Sequence, residues 1–342
     1  MMPAVPQRFT ASWIPLDWAV AGYTLAVLIL IIVCADAVPE WPLLVSLHGL
    51  VLIFLLWLPR RGAAWEESQP SDPPLRIAAK RIGRFLRYTF PALLLTPFFE
   101  EVRFTANALR PDSPYWFEPY LYAADRVLFE TAPVVWITPL RSRFLDELMH
   151  AFYFSFYPLV AGGIVLAWIG PNRGRSAEGA RPGPGFHVAM TSTMLGFFFA
   201  YAWYPFLPAR GPWENRELMS AMPEFRGLLF TPLVQWIIDR AAVSGGCFPS
   251  AHVAGSWGLI VGLAAHHRTA AVWLALLATG LSAACVYTGY HHVVDVLAGL
   301  MVGLLGGIVG RALARRDFAR QAPQRHEESL PSRHFKEGSL CR

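Results

Sequence analysis

The stretch "GGCFPSAHVAGSWGLIVGL", residues 245–263, decides how this chain is read. From Val253 onward it has the composition of a helix surrounded by lipid or by protein, yet it opens on Ser250 and His252. A hydrocarbon core offers polar side chains no water, so such residues at the head of an apolar helix mark an end that faces solvent or a site. The rest of the chain fits that setting. Of its 342 residues 54% are hydrophobic and only 15% charged, whereas soluble chains average about 25% charged. Crossing a hydrocarbon core of about 30 Å takes roughly 20 apolar residues. Of the apolar runs 18–35, 41–58, 148–169, 186–206, 253–265, 270–287 and 293–310, several approach or reach that length. The expected fold is all-α, a polytopic transmembrane helical bundle of about seven to eight spanning helices, with interfacial helices on the outer face.

Charge placement orients the bundle. The net charge of +5 does not point to nucleic acid, because the basic residues cluster at the ends of apolar runs. Arg60, Arg61, Arg76, Lys80, Arg81, Arg84 and Arg87 crowd one connection, Arg173, Arg175 and Arg181 another, Arg268 marks a short turn, and Arg311, Arg315 and Arg316 follow the last run. The positive-inside rule places all four groups in the cytoplasm. Helix parity then demands a further crossing between Arg87 and Arg173, and "YTFPALLLTPFFEEVRF" (88–104) is the candidate, with Glu100 and Glu101 turned away from lipid. Residues 75–90 are basic and apolar at helical spacing and read as a helix along the cytoplasmic interface. Residues 105–147, rich in Pro, Tyr and Trp, suit interfacial helices outside. "ADA" (35–37) resembles a signal-peptidase site, but the preceding run is long for a signal core and carries little positive charge. It reads as a retained span. The polar tail after Arg311 is expected to be disordered. Cys34, Cys247, Cys285 and Cys341 show no CxxC spacing and no disulfide framework, so buried free thiols are expected at Cys247 and Cys285. The glycines at 299, 303, 306, 307 and 310 read as a close-packing face rather than a nucleotide loop.

In this topology the 253–265 run descends, Arg268 marks the turn, and 270–287 returns. His252 and "YTGYHHVVDVLAG" (287–299) therefore sit at the two upper ends of one hairpin, and the 186–206 run emerges beside them into "YPFLPARGPWE" (204–214). Three helix ends converge, carrying Arg210, His252, and His291 with Asp295. His291 and Asp295, four apart, share a face if both are helical. A carboxylate on one ring nitrogen fixes the tautomer and leaves the other nitrogen nucleophilic. His252 then serves as proton donor to a leaving oxygen. Arg210 offers a planar cationic fork for phosphate oxygens, and the helix start at Pro249 and Ser250 offers free N–H groups. The set describes phosphoryl transfer with no metal and no cofactor, since no carboxylate cluster is available for Mg²⁺. His48, His150, His187, His266, His267 and His292 read as packing or hydrogen-bonding residues.

Those residues carry a family resemblance. "PSAH" (249–252) and "VYTGYHHVVDVLAG" (286–299) resemble the second and third signatures of the type-2 phosphatidic acid phosphatase superfamily. "YTGYHHVVD" with "YPFLPARGP" upstream is most similar to its inositol phosphorylceramide synthase-like branch, as is "DRVLFETAPVVWI" (125–137). The resemblance spans roughly 120–310. It implies that His291 attacks phosphorus and forms a phosphohistidine, that Asp295 orients it, that His252 protonates the leaving alcohol, and that Arg210, Ser250 and Tyr204 bind the phosphate. The sequence departs from the phosphatase pattern in carrying Ala284 and Cys285 where that pattern has Ser-Arg, and Trp203 near the place of its leading Lys. Both departures favour the synthase-like branch.

The expected organisation is an N-terminal transmembrane hairpin (1–62), a basic interfacial segment with an additional membrane helix (63–119), a catalytic membrane domain (120–310) and a cytoplasmic tail (311–342). The expected activity is transfer of a phosphoryl headgroup from a phospholipid or sphingolipid donor to an alcohol, at a site on the extracytoplasmic face. Two alternatives compete with it. One is a lipid phosphate phosphatase acting on phosphatidic acid or a polyprenyl or sphingoid phosphate. The other is a lipid transporter using Glu100, Glu101 and Asp125 as a polar path, which lacks a second pair of broken helices.

Overall fold

The computed structural model describes residues 13–66, 71–170 and 182–328. Arg173, Arg175, Arg181 and Cys341 lie outside them. The described residues are helical with short connections, and no strand is assigned among them. The N-terminal part comprises α1 (Pro15–Val33), α2 (Trp41–Glu66), α3 (Pro74–Leu93), α4 (Leu95–Glu100) and α5 (Val102–Thr105). Then come α6 (Glu118–Phe129), α7 (Pro133–Ile137), α8 (Arg143–Phe154), α9 (Phe156–Ile169), α10 (Pro184–Tyr201), α11 (Arg216–Ser220) and α12 (Phe230–Ala241). The last three are α13 (Ala251–Leu263), α14 (Arg268–Tyr287) and α15 (Val293–Glu328).

Among the described residues five stretches are long and apolar enough to cross a membrane: Pro15–Val33, Trp41–Leu58, Arg143–Ile169, Arg268–Tyr287 and Val293–Asp317. With the helical content, they make the chain an integral membrane helical bundle. The third joins α8 and α9 end to end through Ser155. α13 is shorter, and α10 is buried along nearly its whole length.

α10, α13 and α15 pack on one another as the centre of the bundle. Glycines make that possible. A Cβ added at Gly303 would lie 2.5 Å from the Ala254 carbonyl oxygen, at Gly306 2.6 Å from the Gly196 nitrogen, and at Gly258 2.7 Å from the Ser192 carbonyl oxygen. Backbones meet where side chains would stand, as the glycine spacing predicts. Gly196 faces Ala254, while Gly310 faces Ser192 farther down α10. α10 thus runs antiparallel to α13 and α15, which are parallel to each other.

The N-terminal region departs from expectation. Residues 75–90 and the start of 88–104 lie on a single helix where two were expected. One helix runs through Leu93, with Pro91 inside it, and gives way to the short α4 and α5. Arg84 and Arg87 are buried. Arg87 donates from both terminal nitrogens to Asp17 on α1, its Nη1 at 2.8 Å from Oδ1, across 70 residues. The cost of burying either charge alone is what holds such a pair together. His48 on α2 similarly meets Glu101 at 3.2 Å, and Tyr23 on α1 donates to the same carboxylate at 3.4 Å. Hence α1 is built into the packing, with "ADA" as a single 3-10 turn before α2.

The tail departs as well. α15 continues to Glu328 instead of ending near Arg311. Residues 311–328 are rich in Ala, Arg, Gln and Glu, which favour helix, and extending an existing helix incurs no nucleation cost.

The glycine contacts yield a direct test. Gly303→Ala should lose about 1–3 kcal/mol through overpacking, despite alanine's better helix propensity. Gly22→Ala, with nothing within 4 Å of the new methyl, should hold or raise the melting temperature. Thermal unfolding in detergent compares them, and equal melting temperatures would refute the close packing.

Candidate active site

Three connections meet at the end of the bundle where α10 stops and α13 and α15 begin. They are laced by backbone. Cys247 N–H donates to the Ala209 carbonyl at 3.3 Å, Trp213 N–H to Gly289 at 2.9 Å, and Ser250 N–H to Asp295 at 3.0 Å. Gly289, at φ 75°, makes the turn from α14 toward α15 in a left-handed conformation that favours glycine. The expected convergence of the helix ends carrying Arg210, His252, and His291 with Asp295 is therefore present.

His291 lies in the turn just before α15, not on the helix. Its Nδ1 stands 3.1 Å from the Cys247 carbonyl oxygen and 3.5 Å from Asp295 Oδ2. A carbonyl only accepts, so Nδ1 carries the proton and Nε2 keeps the lone pair. The closest partner that sets the tautomer is thus a backbone carbonyl, with Asp295 as the nearby charge. Asp295 is fully buried in the first turn of α15, where Oδ2 accepts from the His292 N–H at 2.8 Å and the Cys247 thiol at 2.7 Å. Burial pushes the Cys247 thiol pKa well up, and the Asp295 charge adds to the effect. It stays a neutral donor. Nothing in the cysteine spacing pointed to Cys247, because its role depends on a contact 48 residues away.

His252 occupies the first turn of α13. Its Nε2 is 3.3 Å from the Tyr153 hydroxyl, and its ring packs against Tyr153 and Phe156. The rings of His252 and His291 are 5.8 Å apart, centre to centre. Both line a cavity of about 380 Å³. Trp213, Glu214, Cys247 and Tyr290 stand at the same end, and Ala92, Leu95, Val160 and Ile164 continue the cavity between helices as an apolar slot. Among the described residues lining it there is no Lys or Arg, while Glu100 and Glu214 are present. Burial pushes the Glu214 pKa up, while the Ser244 hydroxyl and Gly211 N–H that donate to it, and the charge of Arg210, pull it back.

The remaining expected residues stand elsewhere. Arg210 donates to Glu118 through Nε at 2.7 Å and Nη2 at 3.3 Å, and its side chain is not part of the cavity lining. Tyr204 is fully buried and its hydroxyl donates to the Pro249 carbonyl at 3.2 Å, bracing the loop before α13. Ser250, also fully buried, is the N-cap residue of α13. Cys247 and Cys285 are buried free thiols, as expected, and Cys34 is free too. The acids of the transporter alternative are individually paired: Glu100 with Arg103, Glu101 with His48, and Asp125 with His292.

That last pair was not legible in the sequence. His292 Nδ1 donates to Asp125 Oδ2 at 2.8 Å, with both side chains fully buried. The pair pins α6 to the residue following His291. Burial lowers the His292 pKa, but the Asp125 bond and the charges of Asp295, Asp125 and Glu118 outweigh it, so the net shift is upward. A raised folded pKa contributes stability that is fully present below the ordinary value of about 6.5 and lost as pH rises through the folded value. Asp125→Asn should therefore destabilise most below about pH 6.5, with the gap to wild type narrowing at higher pH. Melting temperatures in detergent at stepped pH would show it, and a gap that widens with pH would contradict the pairing.

A family model described as the PAP2 superfamily matches residues 120–309, more than half of the chain. No curated protein and no solved structure matches.

Proposed function

The chain belongs to the PAP2 superfamily, a membrane-embedded enzyme of its phosphatase and phosphotransferase class, and on that premise we propose that it transfers a phosphoryl headgroup from a phospholipid to an alcohol through a phosphohistidine on His291. The observation carrying this reading is the pair of imidazoles, His252 and His291, 5.8 Å apart across one cavity. Because both rings line that cavity, a phosphoryl group seated in it meets both imidazoles.

In this scheme His291 Nε2 attacks phosphorus while the Cys247 carbonyl holds Nδ1–H. The imidazolium that develops is stabilised by Asp295, itself held by the His292 N–H and the Cys247 thiol. His252 gives its proton to the departing alkoxide. In the second half it takes the proton of the incoming alcohol, whose oxygen displaces His291. The apolar slot accepts an acyl chain. Arg210 would reach a phosphate only by exchanging Glu118 for it. Ser250 and Tyr204 shape the loop that carries His252.

The donor we favour is a phosphodiester lipid, as in the inositol phosphorylceramide synthase-like branch. A phosphomonoester is nearly dianionic, and no Lys or Arg is found among the described residues lining the cavity to meet it. A diester carries a single charge. We place the site on the extracytoplasmic face, because Arg268, Arg311, Arg315 and Arg316 stand toward the opposite end of α13, α14 and α15.

Purified protein offered phosphatidylinositol or phosphatidic acid, each with a lipid alcohol, should transfer headgroup from the first and release little inorganic phosphate from the second. His291→Ala should abolish turnover. His252→Ala should slow it about 10²–10⁴-fold, and should accumulate phosphoenzyme only with a good leaving group that departs without a proton. Rapid phosphate release from phosphatidic acid without transfer would make the chain a phosphatase. The face is checked independently by impermeant labelling of single cysteines. Positions 213 and 325 should label from opposite sides, and labelling from the same side would overturn the orientation.

A further inference from the structure

Cys247 brings a third ligating atom to the catalytic pair. Its sulfur lies 2.7 Å from Asp295 Oδ2 and 3.5 Å from His291 Nδ1, and those two atoms are 3.5 Å from each other. A tetrahedral zinc ion with bonds of about 2.0–2.3 Å sets its ligand atoms roughly 3.3–3.7 Å apart. Two edges of the triangle already have that length. The short third edge is a thiol hydrogen bond, and it opens when the thiol proton leaves. All three residues are buried, while Cys247 and His291 line the cavity, so an ion has an approach and an open fourth position. A second observation points the same way. Asp295 is fully buried, yet its Oδ1 has no hydrogen-bond partner, leaving a carboxylate oxygen that a cation would satisfy. Charge favours occupancy too, because a thiolate and a carboxylate neutralise a divalent ion where the empty site holds one uncompensated negative charge.

We propose that Cys247, His291 and Asp295 form an inhibitory site for a soft divalent cation of the zinc class. Bonds form from the metal to Sγ, Nδ1 and the carboxylate. The S–H bond breaks and its proton goes to solvent. The His291 proton moves from Nδ1 to Nε2, so the ring stays neutral and one proton is released per ion. Nε2, which must carry a lone pair to attack phosphorus, is then blocked. The loss of turnover rests on the proposed function; the binding does not.

The two are separated by measuring each. Metal-free full-length protein in detergent is titrated with Cd²⁺, following the thiolate-to-cadmium charge-transfer absorption and the bound ion by equilibrium dialysis. Wild type should show the band with one tightly held ion, Cys247→Ala should lose both, and Cys34→Ala and Cys341→Ala should keep both. Asp295→Asn, which retains the thiol, should weaken binding at least tenfold and guards against misfolding of the cysteine variant. Zn²⁺ should inhibit wild-type turnover reversibly with EDTA. A band that survives in Cys247→Ala, or no band in wild type, overturns the site. Tight binding with turnover untouched overturns its inhibitory role and counts against His291 as nucleophile. A band with no phosphotransfer under any condition upholds the site and counts against the proposed function alone.

Discussion

The close approach of α10, α13 and α15 is the constraint on which the rest depends. Glycines at their contacts bring backbones within touching distance, and this aligns the beginnings of two parallel helices so closely that Ser250 N–H reaches the Asp295 carbonyl. His252 and His291 ride on those beginnings. A Cβ at Gly299 would fall 2.5 Å from the Ser250 carbonyl oxygen, so a larger residue there would part the two helix starts and with them the two imidazoles. The same alignment places two positive helix ends beside the cavity. The bundle thereby offers an anion a favourable potential without a lysine or arginine in the lining.

Buried charge is managed by pairing, and the pairs join parts of the chain that local structure would leave independent. Asp17 with Arg87 ties α1 to α3, Glu101 with His48 ties the end of α4 to α2, and Asp125 with His292 ties α6 to the turn carrying His291. Removing one member of such a pair costs about 3–5 kcal/mol, because the other charge stays behind. The first two anchor the region that precedes the matched residues 120–309. The third sits one residue from His291, so the placing of that imidazole and the docking of α6 are coupled through a single pair.

These pairs mark where sequence reading stops. The spans were legible because hydropathy is a local property, and the glycine face because small residues recur at helical spacing. His252, His291 and Asp295 were legible because their chemistry is unusual in an apolar setting. Partners 70, 92 or 167 residues apart leave no local trace. Arg210 illustrates the consequence: an exposed fork near a helix end suggests an anion, and the fold supplies one in Glu118. His291 stands off the helix for a related reason. Spacing of four suggests a shared helical face, but the left-handed turn at Gly289 ends only two residues before it, so the imidazole finds a carbonyl before it finds Asp295. Cys247 was missed because one unpaired cysteine looks the same in sequence whether it fills space or holds a carboxylate.

The electrostatics of the cavity bear on the donor proposed above. Two like charges about 6 Å apart repel by roughly 3 kcal/mol at an effective dielectric of 20, or about a hundredfold in an equilibrium. Glu214 stands at the polar end of the cavity with His252 and His291, so a monoanion meets that repulsion once and a dianion about twice. Helix ends offset one unit of charge more readily than two, since each contributes about half a charge. A dianion would be seated comfortably only with a proton on Glu214, which burial already inclines it to take. That proton would be drawn from solvent, so seating a dianion carries a pH-dependent cost that a diester avoids. The diester proposed as donor is thus supported by what the cavity walls repel, ahead of any fit to a particular headgroup.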